Sequence, residues 1–277
     1  MSAETAPRPR AAVLGHPVGH SLSPVLHRAA YEALGLAWDY GLVDVTEHDL
    51  PDFVRGLDQS WRGLSLTMPL KEAIRPLLAD VDPVADATGS VNTVVLAGDG
   101  RHGYNTDVAG IVVSLDEQDA GRGPATVLGN GATARSAVAA LAERGARSVE
   151  VVARRQSGEI VAVGERLGIE VRTAGWDQAS RALTADVVVS TVPKGVADVL
   201  ASQVPGAPGC LLDVVYDPWP TPLAAAWAAA GGRVGSGLDM LLHQAVRQVE
   251  LMTGQHPSVE VMRAALQAAH AARSTPR

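Results

Sequence analysis

Val127-Leu128-Gly129-Asn130-Gly131-Ala132-Thr133-Ala134 has the pattern G-x-G-x-x-A, placed between an apolar run and a long Ala-rich stretch of helical pattern. Each small residue answers a physical need. Gly129 permits a tight turn, Gly131 lets the backbone approach a pyrophosphate, and Ala134 lets helix and strand pack closely. The N–H groups at the helix start, Ala132 and Thr133 among them, offer donors and a partial positive charge to phosphate. The pattern alone is weak, but its place between strand and helix predicts a dinucleotide site. The end of the next strand selects the dinucleotide. An NAD site carries an acid there for the ribose 2′-OH, whereas this chain reads Val152-Ala153-Arg154-Arg155-Gln156. Two guanidiniums and no carboxylate suit a 2′-phosphate in geometry and charge. The spacing therefore predicts NADP over NAD, with one of the two arginines a solvated loop residue. The missing acid also argues against a methyltransferase.

A second set of polar groups lies earlier. Ser21-Leu22-Ser23-Pro24, Thr67-Met68-Pro69-Leu70-Lys71, Val91-Asn92-Thr93 and Tyr104-Asn105-Thr106-Asp107 all border predicted strands. Strand ends are where open α/β sheets hold ligands. In isolation Lys71 reads as a solvated helix lysine and Asp107 as a helix cap. His16 and His20 have an H-x₃-H spacing but no third ligand nearby, so no metal site is expected. His27, His48, His102, His243, His256 and His270 read as ordinary helix or loop residues. The five Trp form no stacking platform.

Elements must position these groups. Ala11–Gly15, Trp38–Val45 and Leu64–Thr67 read as strands, with helices from Ser23 (as cap) to Leu34 and over Asp49–Gln59. Asn92–Leu96 and Gly103–Asn105 read as a hairpin across Gly98-Asp99-Gly100. A second β-α-β series follows, with strands at Ala125–Leu128, Ser148–Ala153, Val187–Ser190 and Leu211–Val215. Leu238, Leu241, Leu242, Ala245, Val249 and Met252 recur at helical spacing, and a last helix covers Ser258 to about Ala271. The expectation is an α/β protein of two domains. Residues 10–109 form an N-terminal α/β substrate domain, completed by 238–273, and 110–237 form a Rossmann-type, doubly wound NADP-binding domain. The C-terminal helices return to the first domain. Residues 1–9 and those after about Ala271 are expected to be mobile.

Composition narrows the partners. A chain of 277 residues with 47% hydrophobic but only 4% aromatic residues builds its core from Ala, Val and Leu, which favours close helix-on-sheet packing. A formal net charge of −7 argues against nucleic acid and anionic membrane as partners. The N-terminus lacks the apolar core of a signal peptide, and no run of about 18 apolar residues predicts a membrane span. The single Cys210, set in an apolar run, reads as a buried inert thiol and fits a reducing, cytoplasmic compartment.

Taken together, the polar loops resemble the shikimate dehydrogenase family. The matching motifs are Ser21-Leu22-Ser23-Pro24, Leu66-Thr67-Met68-Pro69-Leu70-Lys71, Ser90-Val91-Asn92-Thr93, Asn105-Thr106-Asp107, the Gly129 loop, Asp213-Val214-Val215-Tyr216 and Gly235-Ser236-Gly237-Leu238-Asp239-Met240-Leu241. They run in order from about Val13 to Met262. The resemblance implies that Ser21 and Ser23 bind a substrate carboxylate, while Thr67, Lys71, Asn92, Asp107, Tyr216 and Gln244 face the rest of the substrate. It implies Lys71 and Asp107 as the catalytic pair. Gly129, Asn130, Gly131, Ala132, Thr133, Arg154, Arg155, Thr191, Val214 and Gly237 would surround NADP. The chain departs from the family in Ser65, where Asn is frequent, in Gly-Asn-Gly-Ala-Thr for the glycine loop, in Ala153-Arg154-Arg155, and in Val214 for a common Met.

The resemblance implies reversible hydride transfer between NADP and shikimate, with a small molecule as the partner of a monomer or homodimer. Oxidising a secondary alcohol needs a group to take the hydroxyl proton, and Lys71 can do so. A neighbouring carboxylate favours a charged ammonium, so Lys71 can equally act as a fixed cation for the developing alkoxide. Two other readings stand beside this one. A quinate or mixed quinate/shikimate dehydrogenase would often carry Thr at the second Ser of the first loop and use NAD, and Ser23 and Arg154 point away from it. A non-catalytic NADP-binding sensor would not need to keep both Lys71 and Asp107.

Overall fold

The computed structural model describes residues 7–98 and 100–274. Asp99, at the tip of the expected hairpin, lies outside the described residues, as do residues 1–6 and 275–277 of the termini. The chain forms two compact units. One comprises residues up to Ala85, Ser90–Thr106 and the chain from Ala245 onward; the other comprises Asp86–Gly89 and Asp107–Gln244.

The first unit holds β1 (Arg10–Gly15), α1 (Ser23–Ala33), β2 (Asp39–Asp44), α2 (Leu50–Arg55), β3 (Trp61–Leu66), α3 (Leu70–Ala73), β4 (Asp80–Val81), the first half of α4 (Pro83–Thr88), β5 (Thr93–Ala97) and β6 (Gly100–Tyr104). The strands make one sheet in the order β2-β1-β3-β5-β6-β4. β1 runs parallel to β2 and β3, while β5 is antiparallel to both β3 and β6. Leu14, Leu64, Leu66, Leu70, Ile74, Val91 and Val94 form the core on one face. Leu14, Leu64 and Leu66 of that core, with Ala12, sit on β1 and β3, as parallel central strands require.

The expected strands and the hairpin are present. Two local expectations need correction. Ser23 is not the cap of α1: Leu22 holds that position without a side-chain bond, and Ser23 N donates to Ser21 Oγ at 3.2 Å. α2 stops at Arg55 because Gly56 takes the C-cap, and Asp58 then turns away to accept from Ser60 N at 2.8 Å and Arg10 at 2.9 Å. β4 is too short to leave a pattern.

The second unit holds most of α5 (Thr106–Glu117), then β7 (Ala125–Leu128), α6 (Ala132–Glu143), β8 (Ser148–Ala153), α7 (Gly158–Leu167), β9 (Glu170–Gly175), α8 (Ala179–Ala182), β10 (Val187–Ser190), β11 (Cys210–Asp213), α9 (Pro222–Ala229) and β12 (Arg233–Ser236). All strands are parallel, in the order β12-β11-β10-β7-β8-β9. That is the doubly wound order, with its reversal between β7 and β10. Sequence pattern identified the four central strands and missed β9 and β12. Those are the edge strands, and β9 is largely solvated and carries Glu170 and Arg172, so neither reads as a buried run. Leu128, Val152, Val188, Leu211, Leu223 and Trp227 fill the core. Cys210 is fully buried there, and burial pushes its thiol up to about 11. Its burial is as expected.

α10 (Gly237–Thr253) begins in the second unit and ends in the first, and α11 (Val259–Ser274) lies along α1. The C-terminal helices thus return to the first unit. A Cβ at Gly63 on β3 would stand 2.6 Å from Met252 Sδ, so the Met252 side chain of α10 packs directly on the sheet at this glycine. Arg273 Nη1 donates to His20 O at 2.8 Å, so the chain is helical and anchored beyond Ala271, where mobility was expected. No described helix is long and apolar enough to cross a membrane.

Candidate active site

In the first unit one edge of the sheet collects the polar loops. β1 and β3 end there, and antiparallel β5 begins there, because Leu14 pairs with Leu66 and Ser65 with Thr93. The loop after β1 carries Ser21 and Ser23, and the loop after β3 carries Thr67 and Lys71. Thr67 N donates to Leu14 O at 2.9 Å, which ties the two loops at their base. A Cβ on Gly15 would stand 2.4 Å from Thr67 Cγ2, so the close approach needs glycine. Lys71 is half-buried in α3, and its carbonyl accepts from Val91 N at 2.8 Å. Ser21, Ser23, Thr67, Lys71 and Asn92 are therefore brought to one edge by strand order alone.

Asn92 is 1% exposed, and its orientation is determined. Its Oδ1 accepts from Thr106 N at 2.7 Å, from Thr106 Oγ1 at 3.1 Å and from Thr93 Oγ1 at 2.9 Å. A backbone N–H can only donate, so the atom facing it must be the amide oxygen. Behind Asn92 lies a group of side chains that sequence reasoning missed. Gln248, 1% exposed, bonds Asn92, Thr93, Ser65 and His27. His27 was expected to be an ordinary helix residue. It is fully buried and stacks on Tyr40 at 3.9 Å between centroids, and burial pushes its pKa down to about 4. His243 is also buried rather than ordinary, with Nε2 3.0 Å from Glu117 Oε1. The available signal was Gln248 itself, a polar residue one turn after Gln244 inside the apolar stripe of α10. His16 is occupied by Asp44, at 2.6 Å, and the described residues contain no group of three metal-ligating side chains.

In the second unit the reversal between β7 and β10 opens the crevice where a dinucleotide binds in this fold. Gly129 follows β7 with φ +113°, a region that favours glycine, and a Cβ there would stand 2.5 Å from Thr191 Oγ1. Thr191 follows β10, and its hydroxyl donates to Leu128 O at 2.8 Å. Gly131 is the N-cap of the twelve-residue α6, and no atom lies within 4 Å of where its Cβ would be. Asn130 Nδ2 donates to Arg155 O, which fastens the glycine loop to the loop after β8. Arg154 and Arg155 are exposed there. Ala132 and Thr133 open α6, and Ala134 is fully buried against the sheet. This cradle fits NADP: an open helix N-terminus for the pyrophosphate, and guanidiniums at the end of β8 for a 2′-phosphate.

Gly129→Ala is expected to lower the unfolding free energy by about 1–3 kcal/mol through strain, read by urea unfolding. NADPH affinity, read by fluorescence titration, should fall with it. A variant of parental stability and affinity would contradict the clash with Thr191.

Asp107 lies in the first turn of α5, 4% exposed, and clusters with the second unit rather than the first. Gln244 does so as well, although it was expected with the helix docked on the first unit. The reason is Gly110 of α5, where a Cβ would stand 3.1 Å from Gln244 Cβ. Tyr216 and Val214 follow β11. A Cβ on Gly237 would stand 2.0 Å from Val214 O and 3.2 Å from Tyr216 Cδ1, so Gly237 lets this loop close over the start of α10. The loop is braced by Asp213, whose Oδ1 accepts from Val215 N at 3.2 Å and whose Oδ2 accepts from Thr221 Oγ1 at 2.8 Å. Burial raises the pKa of Asp213.

A parallel doubly wound unit with a glycine-rich turn at its switch point, joined to an α/β unit with polar strand ends, defines a two-domain, Rossmann-type dinucleotide-binding protein. Comparisons narrow this class. Residues 13–94 match the family model described as the shikimate dehydrogenase substrate binding domain, and residues 237–267 match that of the shikimate 5′-dehydrogenase C-terminal domain. The shikimate dehydrogenase (NADP(+)) of Methylobacterium radiotolerans is 39% identical, covering 91% of this chain and 93% of its own. The crystal structure of Mycobacterium tuberculosis shikimate dehydrogenase is 45% identical at a TM-score of 0.87, covering 95% of this chain and all of that one. A Thermus thermophilus shikimate 5-dehydrogenase in complex with NADP(H) and shikimate is 35% identical at a TM-score of 0.83, over 94% and 99% of the two chains. The chain belongs to the shikimate dehydrogenase family.

Proposed function

We propose that this chain is an NADP-dependent oxidoreductase that reversibly reduces 3-dehydroshikimate to shikimate, a step of chorismate and aromatic amino acid biosynthesis in the cytoplasm. The supporting observation is that a chain similar to NADP-dependent relatives over nine-tenths of its length carries both polar sets: Lys71 with its neighbours at the first sheet's edge, and Arg154 on the loop fastened to the Gly129 loop. Residues 10–109, completed by 238–273, act as the substrate-binding domain, and residues 110–237 as the NADP-binding domain. The enzyme acts as a monomer or homodimer on small molecules, with neither nucleic acid nor membrane as partner.

NADP, when bound, supplies or accepts the hydride. The chain's residues do the rest. Ser21 and Ser23 hold the carboxylate, and the Ser21–Ser23 bond presets their spacing. Thr67, Asn92, Tyr216 and Gln244 hold the remainder of the ring and its hydroxyls. Lys71 serves the reacting hydroxyl, taking its proton or stabilising the alkoxide, and Asp107 is the second member of the catalytic pair. Gly129, Asn130, Gly131, Ala132 and Thr133 receive the pyrophosphate, Arg154 with Arg155 the 2′-phosphate, and Thr191, Val214 and Gly237 the nicotinamide half.

A kinetic screen of shikimate and quinate against NADP and NAD tests this reading. Shikimate with NADP should give the highest kcat/KM. Comparable turnover of quinate with NAD would move the chain to the quinate enzymes. NADP binding without turnover of any pair would make it a sensor.

A further inference from the structure

We infer that Gln248 is a positioning residue for the reaction: through Thr93 it locks the Asn92 side chain in the one orientation that presents an amide donor to the substrate. This deepens the proposed function and rests on it. The Gln248 carboxamide is saturated inside the first unit. Its Oε1 accepts from Ser65 Oγ at 2.9 Å and from His27 Nε2 at 3.0 Å. Its Nε2 donates to Thr93 Oγ1 at 2.9 Å and to Asn92 O at 3.3 Å.

The donors have only one consistent order. Tyr40 OH donates to Ser65 Oγ at 2.6 Å, so the Ser65 hydrogen is left for Gln248 Oε1. His27 is neutral, because burial outweighs its bond to Gln248 and lowers its pKa. Its Nε2 carries the proton toward Oε1, and Nδ1 faces Tyr31 OH at 3.4 Å. With Oε1 serving two donors, Nε2 must donate to Thr93 Oγ1. The Thr93 hydrogen is then left for Asn92 Oδ1, directly or through Thr106 Oγ1 at 3.2 Å, and Thr106 N donates to the same oxygen. These donors converge on one face of a planar amide, so Nδ2 is held on the opposite side as a donor. A flipped Asn92 would set Nδ2 against the Thr106 N–H, leaving buried donors unmatched. Ser65 fits the same scheme: in place of the Asn frequent in the family, a short hydroxyl passes the Tyr40 donor on to Gln248.

The test uses Gln248→Leu and Thr93→Val in the full chain, each alone and in an Asn92→Ala background. Kinetics with shikimate and NADP, NADPH titration and thermal melting are recorded for each. Each single variant should lose about 10- to 100-fold in kcat/KM for shikimate, the scale of a slightly misplaced binding group. KM for NADP and NADPH affinity should stay within about twofold, and in the Asn92→Ala background either substitution should add less than about twofold. Folded variants with parental kcat/KM for shikimate would overturn the proposal. So would a full loss that persists without the Asn92 side chain, or an equal loss in NADPH affinity, since a merely structural role predicts these. If Gln248→Leu fails to fold, Thr93→Val keeps the side-chain shape and decides by the same criteria. An unmodified chain inactive with shikimate and NADP would overturn the functional reading, and this proposal with it. An active chain with unaffected variants would overturn the proposal alone.

Discussion

Lys71→Ala is expected to lower turnover of shikimate with NADP by about 10²–10⁴-fold, the scale of a lost acid–base group. The fold should survive the change. Lys71 contributes its carbonyl to the bond with Val91 N at 2.8 Å, and that bond belongs to the backbone, which alanine keeps. Its neighbours Leu70 and Ile74 supply the burial that fixes α3. NADPH affinity should be unchanged, because the dinucleotide cradle is built from the second unit. An equal fall in kcat and kcat/KM would mark an interaction made in the transition state. Lys71→Arg then separates the two roles: a guanidinium keeps the charge but does not give up a proton. Substantial recovery with arginine assigns Lys71 as a fixed cation. No recovery, with a changed pH–rate profile, assigns it as the acid–base group. A folded alanine variant with parental turnover would remove Lys71 from the mechanism.

The second large effect is expected at Arg154. Arg154→Ala should reduce kcat/KM for NADP by about 10²-fold, equivalent to about 2.7 kcal/mol, and leave the value for NAD nearly unchanged. Arg154 is the first residue after β8 and is exposed. Its loop is fastened to the glycine loop by the bond from Asn130 to Arg155 O, so a guanidinium there is held near the point where pyrophosphate meets α6. A 2′-phosphate left without that partner is the only difference between the two dinucleotides, which is why the loss should be selective. Arg155→Ala should cost less, because its backbone does the anchoring. An equal loss with NADP and NAD would mean that the side chain supports the loop rather than reads the phosphate.

Particular residues show how far the chain could be read before it was folded. The four buried strands β7, β8, β10 and β11 were legible because parallel strands covered on both faces are nearly continuous apolar runs. β9 and β12 were not, since edge strands expose one side and carry Glu170, Arg172 and Gly235. The glycine loop and Arg154 could be proposed from sequence because phosphate recognition is local: it uses one turn and the start of the helix that follows. Lys71 and Asp107 were legible only as members of an ordered motif set, each being unremarkable alone. Ser23 was misread as a cap because Ser-Pro at a helix start predicts one, whereas Leu22 takes the position and Ser21 supplies the hydroxyl.

Sequence by itself therefore determined the α/β class, the glycine-rich turn, the Arg154-Arg155 pair in place of an acid, and the roll of polar strand-end residues. All of these depend on short-range patterns of size, charge and chain direction. Only the tertiary structure decided the strand order that brings Ser21, Thr67, Lys71 and Asn92 to one edge, the placing of Asp107 and Gln244 with the second unit, and the bridge from Gln248 to His27 and Asn92. Gln248 and His27 are 221 positions apart. No local pattern encodes such a pairing, because it exists only once α10 lies against β3 and excludes water, leaving each buried polar atom to find its partner within the protein.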